Sequence, residues 1–109
     1  MEQIIEHHIG KLQDTNPAMY KAMQEIAEIH NKKSNDYAQE DNPFDNFERT
    51  ARMLRITVED VFLLFIATKL NRIVNLNAEG VPPENESVMD SRLDLATYAM
   101  LYYAYMRED

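Results

Sequence analysis

A chain of 109 residues has the length of one domain, and its 45% apolar residues suffice for a hydrophobic core, which argues against intrinsic disorder. The net charge of −8 argues against a protein that binds the nucleic-acid backbone, because phosphate contacts need clustered lysine and arginine. The absence of cysteine excludes disulfides and thiolate chemistry. Because the N-terminal stretch is acidic with a short apolar run, and no apolar run reaches about 18 residues, we expect a cytoplasmic protein without a signal peptide or membrane span.

Helical periodicity recurs along the chain, whereas no alternating strand pattern persists, so the sequence predicts an all-α bundle of four to five helices in a single domain over residues 1–109. The first helix is a short amphipathic segment over residues 3–14. The second begins with Asn16 as its N-cap and Pro17 at its first helical position, and we expect it to fray over residues 34–37.

Cap signals also predict the helices of the second half. Asn42 and Pro43 indicate the start of a short helix. Thr57, followed three residues later by Asp60 in a capping-box arrangement, indicates the start of a long helix that ends near Leu76.

The last helix follows the breaker loop "NAEGVPPENE" at residues 77–86. It is expected to begin between Asn85 and Ser87 and to continue to about Arg107. Because the loop is only about ten residues long, the two C-terminal helices are predicted to form an antiparallel hairpin.

Lys69 lies at the centre of an apolar stripe of the long helix. At about 100° per residue, Phe65 falls about 40° to one side of it and Phe62 about 20° to the other. An unpaired buried ammonium group costs several kcal/mol, so we expect acidic side chains on the neighbouring helix to face Lys69 and Arg72. The alternative is a lysine that lies along the surface with its ammonium group in water.

Three acids of the last helix, Glu86, Asp90 and Asp94, are spaced by four residues and share one face, with Tyr98 one turn further on. Like charges at this spacing repel, and the stabilising effect of the helix dipole has faded at Asp94. We therefore expect the cations of the preceding helix to lie opposite them. A solvated face without a partner is the alternative.

The polar segment "KKSNDYAQEDNPFDNF" is predicted to lie between helices and carries Lys33, Asp36, Tyr37 and Asn46. Polar side chains near a helix N-terminus can bind an anionic group, and an aromatic ring beside them can stack on a base. An ordinary helix–helix connection whose asparagines bind backbone groups is the alternative.

The stretches "ATKLNRIVNLN" and "NESVMDSRLDLATYAML" resemble the nucleotide modification-associated domain family 1 of phages and their relatives. That family has a Lys-x-x-Arg helix, an Asn-Leu pair, then Glu-Ser, two aspartates four residues apart and an Asp-Leu-x-x-Tyr-Ala ending. Its upstream Lys-x-x-Asp-Tyr motif is matched by Lys33, Asp36 and Tyr37, so the resemblance covers about residues 25–105. The chain departs from the family in having Ala38 where the motif has glycine, and in a longer middle segment.

The resemblance implies a small helical protein of the host cytoplasm that is associated with nucleotide or base modification. On this basis we expect a nucleotide-binding accessory protein that sequesters a nucleotide or a cyclic-nucleotide signal, with phosphate on Lys69 and Arg72 and the base on Tyr37. A structural or interaction protein without a ligand is one alternative. The expected ligand-binding residues are Lys33, Asp36, Tyr37, Asn46, Lys69, Arg72 and Tyr98.

The chain is also similar, more weakly, to the all-α nucleoside triphosphate pyrophosphohydrolases of the MazG type, which hold Mg²⁺ between carboxylate pairs on facing helices. This similarity implies a Mg²⁺-dependent pyrophosphohydrolase as the other alternative, although the i,i+4 spacing of the second acidic set departs from that family's pattern. Glu25 and Glu28 could also simply face solvent. The metal ligands implied are Glu25, Glu28, Glu86, Asp90 and Asp94.

The end of the last helix is apolar nearly all round, because Met100, Tyr102, Tyr103 and Tyr105 point in different directions. A helix that is apolar on all sides must be covered on all sides. The sequence therefore predicts a homo-oligomer that associates through this helix.

Overall fold

Five α-helices make up the fold, which confirms the predicted all-α class. The computed structural model describes residues 2–37 and 42–108, with side chains for residues 2–32 and 42–108. The chain divides into two compact units, Met1–Tyr37 and Ala38–Asp109. That residues 1–109 form a single domain stays a prediction. The helices are α1 (Glu2–Thr15), α2 (Pro17–Tyr37), α3 (Asp45–Leu54), α4 (Val58–Ala78) and α5 (Glu86–Arg107).

The first unit is the pair formed by α1 and α2. Its junction has the predicted N-cap, because the Oδ1 atom of Asn16 accepts a hydrogen bond of 3.0 Å from the backbone N–H of Met19. The backbone of α2 is helical as far as Tyr37, where the sequence predicted fraying over residues 34–37. Of the side chains that the structure describes in this unit, the apolar one that is buried is Ile26.

A side-chain cap begins α4, as predicted, and another begins α5 within the predicted start region. The Oγ1 atom of Thr57 accepts a hydrogen bond of 3.0 Å from the backbone N–H of Asp60. Likewise, the Oδ1 atom of Asn85 accepts one of 2.9 Å from the N–H of Ser87. Each cap satisfies a backbone donor that has no partner within its helix.

The start of α3 differs from the prediction by two residues. The Oδ1 atom of Asn42 accepts a hydrogen bond of 3.0 Å from the backbone N–H of Phe44, and its carbonyl oxygen accepts one of 3.2 Å from the N–H of Asp45. Asn42 and Pro43 therefore form a turn that leads into the helix, and α3 begins at Asp45.

Two residues with positive φ end helices in the second unit. Arg55, with φ 59°, follows α3 and allows the chain to turn into α4. Gly80, with φ 78°, follows α4, which continues two residues beyond the predicted end to Ala78. Glycine fits the left-handed region without the steric cost that a side chain brings.

Helix α4 packs against both α3 and α5. Contacts along α4 move backwards along α5, so the two helices are antiparallel, as the short connecting loop predicted. The pairs in contact are Phe62 with Tyr102, Phe65 with Tyr98, and Lys69 with Asp94.

An aromatic cluster forms the core of this unit. Phe62 is fully buried and stacks on Phe47 of α3 with ring centroids 4.3 Å apart. Val61 and Val88 are fully buried as well. Large apolar side chains thereby hold three helices together, and their removal from water is the main favourable contribution to the free energy of folding.

Helix α4 is, by length and composition alone, apolar enough to cross a membrane, with a mean hydropathy of 1.2 over its best window. Only 11% of that window is buried inside the protein. A single helix of this kind is weak evidence for a membrane span. Within the described residues, nothing else indicates a membrane protein.

Candidate functional site

The cation predicted to need an acidic partner has one. The Nζ atom of Lys69 lies 2.9 Å from the Oδ2 atom of Asp94 on the facing helix, and the two side chains are 28% and 34% exposed. Both groups are therefore only partly solvated, and a charged pair at this distance is stronger than one in bulk water. The alternative interpretation, in which Lys69 lies along the surface with its ammonium group in water, is therefore wrong.

Aromatic rings lie next to this ion pair, one helical turn away along each helix. Phe65 precedes Lys69 by four residues, and Tyr98 follows Asp94 by four. The two rings are in contact, with centroids 5.4 Å apart, and both approach Phe47 of α3. The ion pair thus borders the aromatic cluster of the core, and this boundary partly excludes water from it.

The remaining charged residues predicted for this site are exposed. Arg72 follows Lys69 by three residues on α4, and Asp90 and Glu86 precede Asp94 by one and two turns on α5. Because the helices are antiparallel, this register places residue 72 near the level of residues 90 and 91. The predicted cations and acids therefore lie along the same part of the hairpin, with Lys69 and Asp94 forming the ion pair between them.

The other predicted ligand-binding residues lie elsewhere along the chain. Asn46 lies in the first turn of α3, is exposed, and its Oδ1 atom accepts a hydrogen bond of 2.9 Å from Nη2 of Arg49. Lys33, Asp36 and Tyr37 belong to the last turns of α2, and their side chains lie outside the described part of the chain. Their backbone is helix where the sequence predicted a connection.

The predicted metal ligands lie on helices of both units. Glu25 and Glu28 are exposed on α2, Glu86 and Asp90 are exposed on α5, and Asp94 is bonded to Lys69. Among the described residues, no three acidic or histidine side chains are grouped so that they could hold a metal ion. A Mg²⁺ site at these residues stays a prediction.

Comparison of the chain with protein-family models, with curated proteins and with solved structures found no match. The family resemblance of its motifs stays a prediction.

A second polar cluster lies on the opposite side of the aromatic core and was not predicted. The phenol of Tyr102 donates a hydrogen bond of 2.6 Å to the Oε2 atom of Glu59. This bond holds the phenolic proton and, together with partial burial and the negative charge of Glu59, raises the pKa of Tyr102 above its ordinary value.

The same arrangement recurs one helical turn further along α5. The phenol of Tyr105 donates a hydrogen bond of 3.2 Å to the Oε2 atom of Glu48, whose other oxygen accepts one of 2.6 Å from the Nδ2 atom of Asn42. These contacts connect α5 to α3 and to the turn before it, so they fix the position of the hairpin on α3.

A sequence signal for this cluster exists. Tyr102 and Tyr105 lie on the half of α5 that faces the core, and a partly buried phenol needs a hydrogen-bond partner. Glu59 lies in the first turn of α4, three residues before Phe62, and therefore near the helix face that packs on α5. That pairing joins residues 43 apart, so it follows only once the register of the hairpin is known.

Proposed function

We propose that the protein is a phage-type accessory protein that binds a nucleotide, and that its phosphate-binding element is the part of the hairpin that carries Lys69 and Arg72. The observation that supports this proposal is the partly buried ion pair of Lys69 with Asp94 at the border of an aromatic cluster. A lysine with this environment is oriented before any ligand arrives.

The donors of this element suit an anion. The ammonium group of Lys69 has three N–H donors, and the bond to Asp94 leaves donors that can turn to a phosphate oxygen. Arg72, one turn along α4 and exposed, adds a guanidinium fork that binds phosphate through two parallel hydrogen bonds. The partly buried ring of Tyr98, one turn from Asp94, offers the edge that it leaves exposed as an apolar surface for a base.

The charges of the element favour a nucleotide with few negative charges. Lys69 and Arg72 together exceed Asp94 by one positive charge, while Asp90 and Glu86 add negative charge on the same side of α5. A triphosphate would meet repulsion from these acids, whereas a monophosphate or cyclic phosphate would meet less. We therefore propose a cyclic nucleotide or nucleoside monophosphate as the ligand.

The two alternatives have less support. A Mg²⁺-dependent pyrophosphohydrolase needs carboxylates grouped around a metal, and the described residues provide no group of three. If the protein binds no ligand, the position of Arg72 one turn from the paired lysine has no explanation. The alternative without a ligand is supported if no nucleotide binds.

Thermal unfolding in the presence of nucleotides tests the proposal. The wild type should be stabilised by a cyclic nucleotide or monophosphate, by about 2.7 kcal/mol at 100 times the dissociation constant. Arg72→Gln should weaken binding by about tenfold, because one charged pair of hydrogen bonds is lost. Arg107→Gln, which removes an exposed arginine from the last turn of α5, is the matched control and should bind as the wild type does.

Three results would contradict the proposal. One is a wild type that no nucleotide stabilises at millimolar concentration. Another is equal loss of binding in both arginine variants, which would indicate a response to net charge alone. Release of pyrophosphate from nucleoside triphosphates with Mg²⁺ would instead support the pyrophosphohydrolase.

A further inference from the structure

The end of α3 and the turn that follows it form an exposed corner of the second unit. We call residues 52–56 the α3 corner, and all of them are exposed. Its apolar members are Met53, Leu54 and Ile56, which are 76%, 53% and 37% exposed. Large apolar side chains grouped at one exposed site, beside charged ones, are typical of a surface that binds a partner.

The α3 corner is positively charged in an acidic chain. Residues 49–58 contain three arginines and no acidic residue, whereas the whole chain has a net charge of −8. Arg49 forms an ion pair with Asp45 inside α3. Among the side chains that the structure describes, none forms a hydrogen bond or ion pair with Arg52 or Arg55. Each of these two guanidinium groups can therefore bind a carboxylate through two parallel hydrogen bonds.

The backbone of Arg55 indicates that its side chain is not retained for the fold. Arg55 has φ 59° and ψ 43°, in the left-handed region. Its N–H and that of Ile56 donate hydrogen bonds of 3.3 and 3.1 Å to the carbonyl oxygens of Arg52 and Ala51, in a pattern where glycine is the usual residue. Arginine has a steric cost here that glycine avoids, and the other described residue with positive φ is Gly80. A strained residue whose side chain has no partner in its own fold points to a function.

We propose that the α3 corner binds a short acidic segment of another protein, one that carries carboxylates beside apolar side chains. The carboxylates pair with Arg52 and Arg55, and the apolar side chains cover Met53 and Leu54. Charged and apolar groups of the corner thus both meet their complements in one contact. This function goes beyond the proposed nucleotide site, which lies on α4 and α5 and shares no residue with the corner.

Net charge distinguishes a short acidic segment from an extended anionic surface. Charges interact over a Debye length of about 8 Å at physiological ionic strength. A short segment that contacts the α3 corner alone therefore responds to the arginines of the corner. An anionic bilayer or a nucleic-acid duplex is extended and also meets the rest of a chain of net charge −8, including the exposed Asp60 at the start of α4. Free phosphate would leave the apolar side chains of the corner in water.

A second copy of this chain is a poorer partner for the α3 corner. Two copies of net charge −8 repel one another, whereas a partner that is acidic only in one segment does not meet this repulsion. The homo-oligomer predicted from α5 concerns a different helix and stays a prediction.

Selection from a library of short random peptides, with the full chain as the immobilised target, tests the proposal. The selected sequences should combine aspartate or glutamate with leucine, isoleucine or phenylalanine. A fluorescently labelled selected peptide should bind the wild type in an anisotropy titration. Raising the salt concentration from about 0.05 M to about 0.5 M should weaken its binding by about tenfold, because the charged contacts are screened.

The variant Arg55→Gly separates binding from folding. Glycine fits the left-handed backbone, so this variant should unfold at a temperature roughly 4 °C above that of the wild type. It should nevertheless bind the selected peptide about tenfold more weakly, as should Arg52→Gln, because a charged pair of hydrogen bonds is lost. Arg107→Gln, which removes an exposed arginine from the last turn of α5, is the matched control for net charge and should bind as the wild type does.

Four kinds of result would overturn the proposal. The library could yield no binder or only binders without acidic residues, and Arg55→Gly could bind as tightly as the wild type or no more weakly than Arg107→Gln. A lower unfolding temperature of Arg55→Gly would show that the fold itself needs the arginine. The last kind is association of the wild type with phosphatidylserine vesicles, or with itself, that Arg55→Gly abolishes. A lipid surface or a second copy would then be the occupant.

Discussion

The ion pair between Lys69 and Asp94 allows a quantitative prediction. Its atoms are 2.9 Å apart, and its side chains are 28% and 34% exposed. Exposed pairs contribute about 0.2 to 1 kcal/mol, and removing one partner of a fully buried pair costs about 3 to 5 kcal/mol. Because about a third of each side chain remains in water, we expect a coupling free energy of about 1 kcal/mol.

A double-mutant cycle measures this coupling. Lys69→Met, Asp94→Asn and the double variant should be unfolded in urea beside the wild type at pH 7. Each single change should lower the free energy of unfolding by about 1 to 2 kcal/mol, since each leaves one polar group without its partner. The double variant should lose about 1 kcal/mol less than the sum of the two single losses. Thermal midpoints should fall by roughly 4 °C for each kcal/mol.

A coupling within about 0.3 kcal/mol of zero would refute the reasoning, because this is the error of additivity between independent sites. The pair would then have no structural role. If Lys69→Met were as stable as the wild type but lost its stabilisation by nucleotide, the lysine would be retained for the ligand. If it were as stable and no nucleotide bound either protein, a site built on this lysine would have no support.

Other predictions follow from single residues. Phe62→Ala should lower the free energy of unfolding in urea by about 3 to 5 kcal/mol, because this fully buried ring leaves a cavity. The raised pKa of Tyr102 means that the folded state holds the phenolic proton more tightly, so this contribution to stability is present below pH 10 and lost as the pH rises through the folded-state pKa. The wild type and Tyr103→Phe should therefore lose stability in alkaline unfolding titrations more steeply than Tyr102→Phe; equal slopes would contradict this. Gly80→Ala should destabilise by about 1 to 2 kcal/mol because of its positive φ, whereas Gly10→Ala, in the exposed interior of α1, should stabilise by about 0.5 to 1 kcal/mol. Thermal unfolding of the two glycine variants would contradict this if both shifts had the same sign.

Much of the fold could be predicted because helix starts depend on local chemistry. Asn16, Thr57 and Asn85 each cap a helix through a hydrogen bond to a residue two or three positions away, and such bonds can be recognised in sequence. Asn42 shows the limit of this reasoning. It bonds a backbone N–H two residues on, like a cap, but in a turn that precedes the helix. An asparagine that bonds a nearby backbone N–H occurs both in helix caps and in such turns, so the local sequence does not distinguish the two.

The candidate site could be predicted only as a set of facing charges. An apolar stripe that contains Lys69 requires an acidic partner, and this follows from burial alone. The choice of Asp94 among three acids of one face depends on the axial register of α4 against α5, which the packing of Phe65 on Tyr98 sets. Register arises from side-chain shape at the interface, which single-sequence periodicity does not contain. For the same reason the bond of Glu59 to Tyr102 was missed.

The extensive helix pairings among the described residues join neighbours in the chain: α1 with α2, α3 with α4, and α4 with α5. Each pairing closes only a short loop, so the entropy lost before native contacts form is small. Chains with such low contact order fold in microseconds to milliseconds. The hairpin of α4 and α5 should thus be an early structure on the folding pathway.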